Sequence, residues 1–160
     1  MKSTKHRILM AVLARQGVDE NTRHDLIFSW TAGRTRSSLE LYESEIDDLL
    51  WKLQHDSQFH DNIPLASSLM LDHALKQKRS VVLAIAQRTG LHSGTDFKKF
   101  NSWMEGHSIL KKSLKKYALE ELDELIKQMH ALEANYVRSA GTPGTKAWEH
   151  HYGLPGSANN

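Results

Sequence analysis

Ile8-Leu9-Met10-Ala11-Val12-Leu13, followed by Arg15, Gly17 and Val18, is written a second time as Val81-Val82-Leu83-Ala84-Ile85-Ala86, Arg88, Gly90 and Leu91, 73 residues later. At the same offset Ser29-Trp30-Thr31-Ala32-Gly33 meets Ser102-Trp103-Met104-Glu105-Gly106. Farther on the offset widens: Ser38-Leu39 and Tyr42 align with Ser113-Leu114 and Tyr117 at 75, and Glu45-Ile46-Asp47 with Glu121-Leu122-Asp123 at 76. A period of this length decides the architecture, because each copy must be one packing unit. The expectation is an all-α protein of two tandem three-helix repeats sharing a core, with an irregular C-terminal tail. Its parts are a first repeat over residues 1–55, a connector over 56–67, a second repeat over 68–138 and a tail over 139–160.

Each repeat reads the same way. A helix over residues 4–16 has apolar positions nearly all round, which predicts burial between elements rather than a one-sided stripe. Gly17 ends it in a left-handed cap, where a side chain is penalised. Asp19 is placed to cap a second helix, with Ile27 and Trp30 inward and Gly33 closing it. After an aperiodic loop over 34–41, Ile46, Leu49, Leu50 and Leu53 stand at i, i+3, i+4 and i+7, the spacing of a third helix with an acidic outer face. Residues 56–64 read as a connector, and Ser67 or Ser68 as the cap of a helix running to Thr89, which Gly90 ends. Phe97, Phe100, Trp103 and Met104 face inward on the next helix. Leu119, Leu122, Leu125, Ile126, Met129, Leu132 and Tyr136 define the last one. Past Arg138 the chain turns to Ser-Ala-Gly-Thr-Pro-Gly-Thr, outside the expected core.

Composition narrows the chemistry. The 160 residues hold 39% hydrophobic and 25% charged residues with three prolines, the make-up of a globular chain. There is no cysteine, so disulfide and thiolate chemistry are excluded. The longest apolar run, Ile8 to Ala14, is far short of the ~20 residues that span a bilayer, and a cytoplasmic location is expected. Net charge is +2 but unevenly spread: residues 1–75 carry 8 Lys+Arg against 11 Asp+Glu, and residues 76–160 carry 13 against 8. The second half is the natural partner of a polyanion.

Constellations that resemble active sites dissolve on inspection. Asp47-Asp48 and Asp123-Glu124 are adjacent on a helix and diverge, whereas acid and base catalysis needs carboxylates converging on a cleft. The ten histidines lack the spacing of a metal site, so no metal and no cofactor is expected. Trp30 and Trp103 stand at helical core spacing from Ile27 and Phe100, which favours packing over base stacking. The cationic loops carry more information. Arg34 and Arg36 follow the first Ser-Trp-x-x-Gly sequence; His107, Lys111, Lys112, Lys115 and Lys116 follow the second, flanked by Lys78, Arg79, Lys98 and Lys99. Cations on a loop with free backbone amides suit phosphate contacts. In the tail, Trp148, Tyr152 and Leu154 are candidate partner anchors, with Trp148 folding back on the chain's own helices as the other reading.

The first repeat resembles the regulatory protein GemA family of Mu-like bacteriophages and prophages. The resemblance lies in Gly17-Val18-Asp19-Glu20 with Thr22, in Thr31-Ala32-Gly33 with Ser37-Ser38, and in Glu45-Ile46-Asp47-Asp48-Leu49-Leu50. It covers residues 5–55, and residues 78–136 more weakly. Where the family shows Thr-Tyr-Arg, this chain reads Thr22-Arg23-His24. The resemblance implies a small helical, non-enzymatic protein that alters host gene expression through DNA topology and gyrase, and it supplies no catalytic residues. The partners to expect are duplex DNA or a DNA-handling host protein such as gyrase. A protein-interaction module without nucleic-acid contact, acting through the tail and the acidic helices, is the competing expectation.

Overall fold

The computed structural model describes residues 3–152. It is all-α: eight α-helices and two short 3-10 turns, with no strand among the described residues. The chain divides into two compact units at Leu75 and Lys76, which is where the sign of its charge changes.

In the first unit, α1 (Thr4–Arg15) starts on Ser3, whose hydroxyl accepts the His6 N–H, and stops at Gly17, φ +70°. Gly17 N–H bonds the Ala14 carbonyl and Val18 N–H the Leu13 carbonyl, the paired bonds that close a helix through one left-handed residue. Only one face of α1 is buried, through His6, Leu9 and Leu13, while Ile8 and Ala11 are exposed. The all-round burial expected from its apolar run is therefore wrong: a run of apolar residues does not say which of them find neighbours. In α2 (Glu20–Trp30), Asp19 Oδ1 accepts the Thr22 N–H at 2.9 Å, the predicted cap. Ala32 (φ +50°) and Gly33 (φ +87°) are both left-handed at the end of this helix, and Gly33 N–H reaches the Phe28 carbonyl, so the predicted glycine closure is shared with the residue before it. Trp30 Nε1–H donates to the Glu45 carbonyl, and its ring meets Phe59 edge-on at 6.0 Å. A 3-10 turn (Ser38–Glu40) leads to α3 (Glu43–His55), which buries Ile46, Leu49 and Leu53 as its spacing requires.

The expected connector is largely helical. Asp56 caps α4 (Ser57–Asp61), which buries Phe59 against the first core, and α5 (Ile63–Arg88) starts four residues before Ser67 with Pro64 in its first turn. Proline is tolerated there because that N–H has no partner inside the helix. Apolar Phe59 and Ile63 in an otherwise polar stretch are the residues that recruit it to the core.

The second unit holds the end of α5, α6 (Lys98–His107), a 3-10 turn (Leu114–Lys116), α7 (Leu119–Ala140) and α8 (Lys146–His151). Gly90 (φ +73°) ends α5 with the same bond pair as Gly17, from Gly90 N–H to Gln87 and Leu91 N–H to Ala86. Its core includes Val82, Ile85, Phe100, Met104, Leu122, Leu125 and Met129. Phe97 and Trp103, expected inside, are not buried; Phe97 stacks on His92 at 4.2 Å. Gly106 lies within α6 and closes nothing, so the second Ser-Trp-x-x-Gly sequence is not the structural copy of the first. The alignment of Tyr42 with Tyr117 is also off by one. Both 3-10 turns, the Ser37 and Ser113 that precede them, and Glu45 with Glu121 match at 76, which pairs Tyr117 with buried Leu41.

The tail is not irregular as far as it is described. Thr145 caps α8, which packs against α7; its hydroxyl donates to the Ser139 carbonyl at 2.6 Å, and His150 Nδ1 is bonded to the Tyr136 hydroxyl. A methyl group on Gly90 would stand 3.1 Å from the His150 ring. At Gly17 it would meet nothing within 4 Å. Gly17→Ala is thus expected to cost about 1–2 kcal/mol, the penalty of a left-handed alanine alone. Gly90→Ala carries that penalty and also displaces α8. Urea unfolding with amide exchange over residues 146–151 distinguishes them: exchange there accelerates only in Gly90→Ala.

Candidate nucleic-acid interface

Arg34 forms an ion pair with Glu45, donates to the Glu40 carbonyl and covers the Tyr42 ring, its guanidinium 4.1 Å from the centroid. Arg36 is paired with Asp25 at 2.9 Å and lies over Phe28. The first unit's two candidate cations are therefore held in local structural pairs. In the second unit Lys112 is paired with Glu121 at 2.6 Å and Lys78 with Asp123 at 2.7 Å. Lys99 Nζ donates to the Gly90 carbonyl.

Glu121 is the second-unit counterpart of Glu45: one oxygen accepts the Ala118 N–H at the start of α7 and the same carboxylate holds Lys112. The Lys112 ammonium first, and the Ala118 N–H second, keep the Glu121 carboxyl below its ordinary value. A carboxyl with a lowered folded-state pKa stabilises the fold above the ordinary glutamate value of about 4.3, and that contribution is lost as pH falls through the lower folded-state value. Glu121→Gln should therefore lower the urea midpoint at neutral pH, and the difference from wild type should vanish at a pH low enough to protonate Glu121 in the folded as well as the unfolded state.

Lys111, Lys115 and Lys116 are different. All three are exposed, and none has a carboxylate within ion-pair distance among the described residues. Arg79 joins them, its guanidinium donating to the Lys115 carbonyl at 3.1 Å. Lys111 has φ +47° and follows Ile109 and Leu110, two exposed aliphatic residues for which the pattern of charges offered no reading. The signal was present as an apolar pair beside Lys-Lys with no helical period. His107, the remaining predicted contact, is exposed at the end of α6, and its carbonyl accepts from Gln128.

Of the predicted tail anchors, Trp148 is half-buried on α8 and Tyr152 is exposed, the two rings 5.4 Å apart; Leu154 lies outside the described residues. No group of three or more His, Asp or Glu among the described residues is arranged to hold a metal ion, and no described helix is long and apolar enough to cross a membrane. No family model, curated protein or solved structure matches the chain.

Proposed function

We propose that this is a non-enzymatic regulatory protein of a Mu-like mobile element, acting in the host cytoplasm on gene expression or DNA topology by docking its second unit on duplex DNA. The observation that carries the reading is the group Arg79, Lys111, Lys115 and Lys116, none of which has a carboxylate within ion-pair distance among the described residues, in the unit with the positive charge balance. The resemblance of residues 5–55 to the GemA family supports the biological setting. Cations on a loop and a 3-10 turn suit phosphate contacts, which fix position on the duplex without reading sequence. A titration with duplex DNA tests the reading: the logarithm of the affinity should fall linearly with that of salt, with a slope of about −2.7 to −3.6 for three or four contacts at ~0.9 each. No duplex binding at low salt would refute it.

A second reading has its own support. In the first unit Trp51 is 59% exposed and stacked on His55, on the same helix as Asp47 and Asp48. Asp47 is paired with Lys5, so Trp51 and Asp48 are the features that would suit a basic partner protein, such as a DNA-handling host enzyme. Capture of one host protein that survives nuclease treatment and is lost in Trp51→Ala would favour it.

A further inference from the structure

The loop between α6 and the second 3-10 turn is held more firmly than a solubilising loop needs to be. Gln128, reaching from α7, donates to the His107 carbonyl and accepts the Ile109 N–H, both at 2.8 Å. The hydroxyl of buried Tyr117 accepts the Leu110 N–H at 3.1 Å and meets the Ser108 hydroxyl at 2.7 Å; Lys111 N–H closes the turn on the Ser108 carbonyl. This fixed backbone holds Ile109 and Leu110 in solvent, 51% and 45% exposed, next to Lys111. The corresponding stretch of the first unit has Ala32 and Gly33, with Arg34 neutralised by Glu45.

We infer that Ile109 and Leu110 form a rigid wedge that enters the minor groove of duplex DNA and unstacks one base step, while Lys111, Lys115 and Lys116 hold the flanking phosphates. The inference rests on the proposed function and adds deformation to docking. Aliphatic side chains inserted between base steps kink a duplex, and the insertion is cheapest where stacking is already weak. Two adjacent aliphatic residues match a single step. A bilayer anchor of the same charge would need a broader apolar face with aromatic residues at headgroup depth, and this loop has none. A preformed backbone suits the wedge, because ordering the loop costs nothing further on binding.

The test uses the full chain and a short duplex carrying donor and acceptor dyes at its ends. Wild type should raise energy transfer on binding, and should bind a duplex with one central mismatch about tenfold more tightly than a fully paired one, since unstacking is already in place. The double variant Ile109→Ala, Leu110→Ala should lose both the transfer increase and the mismatch preference, while the salt slope, set by the lysines, stays at its wild-type value. Both side chains are exposed, so its thermal midpoint should match wild type. Wild-type binding with no transfer increase and no mismatch preference overturns the wedge and leaves DNA docking standing. No duplex binding at all overturns both. Binding to phosphatidylserine vesicles that depends on Ile109 and Leu110, in place of DNA, overturns the wedge in favour of a membrane surface.

Discussion

With Lys111, Lys115 and Lys116 replaced together by Gln, duplex affinity is expected to fall by about 10²–10³-fold at ~0.1 M salt, and the salt slope to flatten by about 2.7, because each lost phosphate contact removes ~0.9 from it. The two figures are one effect. Extrapolated to about 1 M salt, where counterion release no longer helps, the variant and wild type should bind alike. Folding should be untouched, since none of the three lysines has a carboxylate within ion-pair distance among the described residues. Arg36→Gln is the control. Its guanidinium is spent on Asp25 and the Phe28 ring, so its loss should leave the slope as it was. Fluorescence anisotropy across a salt series measures all of this. An unchanged slope in the triple variant would remove the cationic group from the interface.

The second large effect concerns two tyrosines. Tyr117 is 1% exposed, and its hydroxyl serves both Ser108 and the Leu110 N–H. Tyr117→Ala should cost about 3–5 kcal/mol, as large aromatic deletions from a core do. Tyr117→Phe should cost about 1–3 kcal/mol by leaving buried polar groups unsatisfied, and should loosen the loop that carries Ile109 and Leu110. Tyr42 is 62% exposed and touches chiefly the Arg34 guanidinium, so Tyr42→Ala should cost about 1 kcal/mol or less. Urea unfolding of the three variants decides the matter. Comparable losses at the two tyrosines would mean that their surroundings are alike, against the one-residue difference in register.

That register shows where reading the sequence succeeds and where it stops. The helices with strict spacing were legible: α3 buries Ile46, Leu49 and Leu53 and α7 buries Leu119, Leu122, Leu125 and Met129, because 3.6-residue geometry puts those side chains on one face, while Leu50, Ile126, Leu132 and Tyr136 at the edges of those faces are half-buried. The left-handed closures at Gly17 and Gly90 were legible too, since only the missing side chain makes that conformation cheap. Matching by residue type failed at Ser102-Trp103 and at Tyr117. A loop of different length separates each glycine from the next helix, and identity of letters does not survive a change of loop length. The candidate site was half legible. Charge runs in the sequence located the basic loops, but Arg34, Arg36 and Lys112 look like Lys111, Lys115 and Lys116 until their partners are known.

By itself the sequence determined the all-α class, the buried faces of α3 and α7, the closures at Gly17 and Gly90 and the change of charge sign at residue 76, because each follows from local geometry or from counting. Tertiary structure alone decided which cations are neutralised, that Trp148 lies half-buried on a short helix packed against α7, and that Ile109 and Leu110 stand fixed in solvent. Those outcomes depend on pairs such as Arg34 with Glu45, Tyr136 with His150 and Gln128 with Ile109, which lie 11 to 19 residues apart and meet only when the helices pack.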